Sequence, residues 1–89
     1  MSDTGKVLDE VWKERARQEE LCSAGRFRST CASSEMPAGD KLAVLMEEVG
    51  EVARAMSEAS GAANDKHGVH LREELIQVAA VACAWAESL

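Results

Sequence analysis

The apolar residues of this chain recur at three- and four-residue intervals in three separate stretches, a period of 3.6 rather than the alternation a strand would show. Val7, Leu8, Val11 and Trp12 mark the first stretch, and Asp3 or Thr4 can cap it, so a helix is predicted from there to about Leu21. From Cys22 to Gly39 the texture changes to Ser, Gly, Ala and Arg and ends in Met36-Pro37-Ala38-Gly39. That is loop material with room for one helical turn, and a loop of this length in a short chain is either a binding lid or a plain connector. A second helix is predicted to start between Pro37 and Asp40, because proline suits a first helical position and an aspartate favours the positive end of the helix dipole. Leu42, Leu45, Met46, Val49, Val52, Ala53 and Met56 lie at core spacing along it. Gly61-Ala62-Ala63-Asn64-Asp65 interrupts the pattern, and a third helix is expected from about His67 to Ser88, with a stripe of Leu71, Leu75, Val78, Ala79, Ala82, Trp85 and Leu89. The expectation is an all-α protein, a bundle of three main helices forming one domain over residues 1–89.

Composition sharpens this reading. With 89 residues, a chain can remove only roughly two-thirds of its unfolded surface from water, so a single copy has a thin core. Completion of the bundle by self-association, as a homodimer or homotetramer, is therefore expected. Phe27, Trp12 and Trp85 are the only aromatic residues, which suits helix packing better than sheet packing. A formal net charge of −6 argues against nucleic-acid binding, which rewards clustered Lys and Arg. Lys13, Arg15, Arg17, Arg26 and Arg28 do gather in the first third, where they read as a solvated face or as phosphate contacts for one or two of them. No apolar run approaches the roughly 20 residues that span a bilayer, and the first ten residues lack a signal-peptide core, so no membrane association and a cytoplasmic location are expected. Cys22, Cys31 and Cys83 make an odd set without a CxxC pair, which favours reduced thiols, Cys83 buried, over a disulfide framework.

Beside the apolar stripe of the second helix runs another line, Val44, Glu48, Glu51 and Ala55, at i, i+4, i+7 and i+11. The third helix repeats that spacing in His70, Glu74, Gln77 and Val81. Apolar residues at the ends of both lines imply that the carboxylates are partly enclosed, and several enclosed like charges make physical sense chiefly when a cation neutralises them. Carboxylate and amide oxygens are hard ligands, which points to Mg²⁺, with Mn²⁺ able to substitute. The plain alternative is a soluble helix surface, in which Glu51 pairs with Arg54 and the spacing carries no chemistry. Glu47 and Glu73 precede the pairs and are expected to point towards solvent, Glu47 also being placed to act as an outer ligand or base. His67 and His70 start a helix and read as solvated, or as substrate contacts. A di-iron bundle would need Glu-x-x-His, whereas the order here is His70-x-x-Glu73.

With those residues in view, the chain resembles the MazG-type all-α nucleoside triphosphate pyrophosphohydrolases, whose hallmark is EExxE followed downstream by ExxD. Glu47-Glu48-Val49-Gly50-Glu51 matches the first half, and Glu74-Leu75-Ile76-Gln77 matches the second except at its last position. The resemblance runs through Lys41 to Leu89 and includes Glu14-Arg15-Ala16-Arg17-Gln18 in the first helix. It implies a four-helix-bundle architecture built by oligomerisation and a Mg²⁺-dependent hydrolase that splits a nucleoside triphosphate into the monophosphate and pyrophosphate. It also implies a metal site of Glu48, Glu51, Glu74 and Gln77, proton removal from water by Glu48 or Glu47, and phosphate contacts from Arg17, Gln18 and Lys41. Gln77 in place of an acid removes one negative charge from that site. The same departure fits an alternative, a nucleotide- or metal-binding regulatory module that kept the fold and lost turnover. Where relatives carry a Lys-Trp-Gly segment, this chain has Cys22-Ser23-Ala24-Gly25-Arg26-Phe27-Arg28, so base recognition does not carry over; Phe27 either stacks on a base or pins the loop to the core.

Overall fold

The computed structural model describes residues 2–26, 29–59 and 65–89, and only the backbone of 59 and of 65–69. The described residues form three α-helices, α1 (Asp3–Ser23), α2 (Ala38–Ala59) and α3 (Asp65–Glu87), joined without any strand. Phe27, Arg28, the Gly61–Asn64 break and the side chain of His67 lie outside the described residues.

Local chemistry explains the helix ends. Ser2 caps α1, its Oγ accepting from the Gly5 N–H at 3.0 Å. At the other end α1 runs two residues past the expected Leu21, because Gly25 takes a positive φ of 78°. Gly25 N–H then donates to Cys22 O at 3.0 Å and Arg26 N–H to Leu21 O at 2.9 Å, the paired bonds of a Schellman motif that satisfies the last carbonyls of the helix. The carbonyl of Pro37 opens α2, accepting from Asp40 and Lys41 at 3.0 and 3.1 Å, with Asp40 in the electropositive first turn.

Helix α3 is the centre of the molecule. Both α1 and α2 pack on it, and among the described residues no Cα of α1 comes within 8 Å of one of α2. Cys31, Val81 and Ala84 form the buried cluster, with Ala32, Met36, Val44, Leu45 and Trp85 against it. The segment between α1 and α2 is thus anchored by Cys31 inside the core, and by Thr30, whose hydroxyl donates to Glu19 Oε2 at 2.7 Å. Cys83, expected to be buried, is exposed and donates to Glu87 Oε1 at 3.7 Å; it lies on the side of α3 that neither neighbour covers.

Two buried cations close the C-terminal end of α3, whose own last turn has no basic residue. Arg15 of α1 donates from Nε and Nη2 to the Glu87 carboxylate at 3.0 and 2.9 Å, and also to Glu19 at 2.8 Å and Gln18 at 3.0 Å. The paired bonds to Glu87 hold the Arg15 guanidinium well above its ordinary proton affinity, against the opposing effect of burial. Lys41 of α2 donates to Ser88 Oγ at 2.6 Å, and Ser88 in turn donates to the Trp85 carbonyl. Both cations sit where the helix dipole is negative.

The stripes are arranged differently from the expectation. Around α2 the residues Val44, Glu48 and Ala55 turn inward together with Leu45 and Val52 of the expected stripe, whereas its other members, Leu42, Met46, Val49, Ala53 and Met56, are exposed, as is Glu51 of the acidic line. At 100° per residue the two lines centre roughly 150° apart on α2, nearly opposite rather than side by side. Within a single chain α3 meets part of each. On α3, Glu74 and Val81 are buried, Leu71, Gln77, Val78 and Trp85 half-buried, and Leu75, Ala79 and Ala82 exposed.

Candidate functional site: an acidic groove between the outer helices

Because α1 and α2 are both held by α3 but not by each other, a groove of about 980 Å³ opens between them. Its floor is Gln77, Val81 and Ala84 of α3; Glu14, Arg17 and Gln18 form one wall, and Asp40, Val44, Glu47 and Glu48 the other. The segment from Ser29 to Pro37 closes one end, with Ser29, Thr30, Cys31, Ser33 and Glu35 among the lining residues. A smaller cavity of about 450 Å³, lined partly by Lys13, Arg72 and Glu73, lies between α1 and α3 and shares Glu14, Arg17 and Gln77 with the groove.

The two helical lines meet at Gln77. With its amide nitrogen turned inward, Gln77 donates to Glu48 Oε2 at 3.0 Å and to Glu74 Oε2 at 3.3 Å. One carboxylate from α2 and one from α3 are thereby held on a single neutral donor. Glu74 is buried, and His70 Nε2 stands 3.9 Å from its other oxygen. Burial, together with the charges of Glu74, Glu51, Glu14 and Glu47, pushes the Glu48 carboxyl above the usual carboxylate range.

Glu14, which the spacing of the later helices does not single out, is the third enclosed carboxylate. Its side chain is mostly covered and accepts two bonds from Arg17, at 2.8 Å each, and one from Gln18 Nε2 at 3.4 Å. The bond to Glu14 raises the proton affinity of Arg17, and the charge of Glu48 adds to it. Residues 14, 17 and 18 share one helix face, a signal that becomes informative only once α2 is known to stand opposite.

The remaining candidates are placed as follows. Glu51 is exposed and lies near Arg54, 3.9 Å away, and Arg54 also reaches Glu58 at 3.4 Å. Glu47 is exposed on the groove rim and Glu73 is exposed on α3. Arg17 and Gln18 line the groove; Lys41 does not, being spent on Ser88 at the end of α3. Among the described residues, no three His, Cys, Asp or Glu side chains stand close enough together to hold a metal ion as they are. The donor chemistry nevertheless suits a hard cation: two carboxylates converge, and turning the Gln77 amide over offers an oxygen where the nitrogen now stands.

No protein-family model, curated protein or solved structure matches this chain.

Proposed function

We propose that the groove binds a nucleoside triphosphate together with Mg²⁺, or Mn²⁺ in its place, and hydrolyses it to the monophosphate and pyrophosphate. This is the activity that the resemblance of Glu47–Glu51 and Glu74–Gln77 to the MazG-type enzymes implies. The observation that carries it is the convergence of Glu48 and Glu74, from two helices, on one amide beside a groove of about 980 Å³.

In this reading Glu48, Glu51, Glu74 and Gln77 hold the cation. When bound, the divalent ion neutralises phosphate charge and acidifies the attacking water. Glu48 removes the proton from that water, with Glu47 as the neighbouring candidate. Burial and the neighbouring carboxylates raise the proton affinity of Glu48, the direction that suits a base. Arg17, now held by Glu14, exchanges that carboxylate for a phosphate oxygen, and Gln18 donates beside it. Walls this acidic repel a bare triphosphate, so the reading requires the cation to enter with it or before it.

A second reading has its own support. Gln77 already satisfies both carboxylates without an ion, as expected of a module that binds a nucleotide or metal weakly and regulates rather than turns over. Pyrophosphate release across a nucleotide panel with Mg²⁺ and with Mn²⁺ separates the two. The enzyme reading expects release that Glu51→Gln abolishes; an unchanged rate in that variant refutes the site. Saturable Mg²⁺ binding by calorimetry without release favours the regulatory module, and no saturable binding removes both.

A further inference from the structure

We infer that the smaller cavity, between α1 and α3, is a binding site for a phosphate-type oxyanion, separate from the acidic groove beside it. The cavity of about 450 Å³ is lined by Lys13 and Arg17 of α1 and by Arg72 of α3, around Ile76. That size is at the small end of ligand pockets and suits a compact anion. The three cations come from two helices. Lys13 and Arg17 stand one turn apart on a single face of α1, and the packing of α3 on α1 brings Arg72 to the same space.

Two observations select an anion. The first is the balance of charge. In a chain of net charge −6, the described lining of the groove sets Glu14, Glu35, Asp40, Glu47 and Glu48 against Arg17 alone. The smaller cavity instead sets Lys13, Arg17 and Arg72 against Glu10, Glu14 and Glu73, so of the two spaces it is the one that does not repel an anion outright. The second is how loosely the cations are engaged. Lys13 is 3.0 Å from Asp9, with the two side chains 69% and 46% exposed, and Asp9 does not line the cavity. Arg72 is paired with Glu10, and both are about half exposed. Open pairs of this kind contribute little, so a ligand with two or more negative charges competes with them and gains several charge-assisted bonds at once. Arg17 spends Nε and Nη2 on Glu14, at 2.8 Å each, and among the described residues its Nη1 is left to meet a ligand.

Arg17, Glu14 and Gln77 line both spaces, so the same oxyanion chemistry has two sources: a free phosphate or pyrophosphate, or the tail of a nucleotide lying in the groove. Only the second source rests on the hydrolase reading. The experiment is calorimetric titration of the full chain, free of divalent ions, with sodium phosphate and with sodium pyrophosphate. Lys13→Gln/Arg72→Gln is compared with Lys6→Gln/Arg54→Gln, which removes the same charge from positions outside the cavity, each checked by circular dichroism. The expected result is saturable binding, weaker by roughly tenfold or more in the first variant and little changed in the second. Glu73→Gln should bind more tightly, because it removes a repelling carboxylate from the lining. Absence of saturable binding by either anion overturns the proposal, as does equal weakening in both double variants. Should the first variant lose its helix signal, amide shifts of the wild-type protein on adding phosphate decide: movement around residues 13–17 and 72–77 supports the cavity, and movement elsewhere overturns it. A non-hydrolysable nucleoside triphosphate with Mg²⁺ then separates the sources, and either result keeps the oxyanion site: displacement of the phosphate assigns it to the nucleotide tail, and joint binding to a free anion. Protein that binds phosphate but no nucleotide supports the site and refutes the hydrolase reading alone.

Discussion

Replacing Glu48 by Gln tests whether the groove holds its carboxylates against their mutual repulsion. Glu48 Oε2 and Glu74 Oε2 share one nitrogen at 3.0 and 3.3 Å. Two charges within about 6 Å of each other, at an effective dielectric of about 20 to 40, repel by roughly 1.5–3 kcal/mol. Gln at position 48 keeps an oxygen for the Gln77 amide but turns a charge-assisted bond into a neutral one, which returns about 1 kcal/mol. The variant should be more stable at neutral pH by about 1 kcal/mol, a rise in Tm of roughly 4–8 °C for a domain of this size. The sign with pH follows from the raised proton affinity of Glu48. A group whose folded pKa exceeds its unfolded one contributes stability at low pH that is lost as pH rises through the folded value. The advantage of Glu48→Gln should therefore appear above that value and fade below the ordinary glutamate pKa, where the wild-type carboxyl is already neutral. Thermal unfolding by circular dichroism at pH 4 and pH 7, with and without MgCl₂, measures this. A lower Tm for the variant at pH 7, or a gain that is the same at pH 4, would refute the electrostatic account.

Gln77→Asp should lower Tm without divalent ions, by adding a charge beside Glu48 and Glu74, and should tighten Mg²⁺ binding roughly tenfold, about 1.4 kcal/mol, by calorimetry. Arg15→Ala should cost about 2 kcal/mol, a Tm drop of roughly 10 °C, since it removes a buried guanidinium while Glu87 and Glu19 regain water. Glu19 and Glu87 are held below the ordinary glutamate range, Glu19 chiefly by the Thr30 hydroxyl and Glu87 by Arg15. Their contribution is present above that range and lost as pH falls through the lowered values, so wild type should lose stability in acid more steeply than Arg15→Ala. Lys41→Met should leave Tm unchanged or raised, because the buried ammonium has one hydroxyl partner and an apolar isostere avoids its desolvation. In thiol titration Cys83 should react fast and Cys31 slowly, as burial both covers the Cys31 thiol and raises its pKa.

Periodicity alone was enough to place the three helices, because a 3.6-residue pattern acts within a few positions of the chain, although the cap of α1 is Ser2 and not the expected Asp3 or Thr4. The matched lines Glu48/Glu51 and Glu74/Gln77 were visible for the same reason: equal spacing on a helix is a local property. Which line turns inward was not legible. Around α2 an acidic line and an apolar line lie on nearly opposite sides, and only packing on α3 decides between them. Tertiary structure also set Glu14 across from Glu48 and withdrew Lys41 to the end of α3, since both placements depend on where one helix lies against another. It made Cys31, a residue of unremarkable local context, the anchor of the long connection. Local chemistry chose the elements, and the competition of two helix faces for one partner chose the interior.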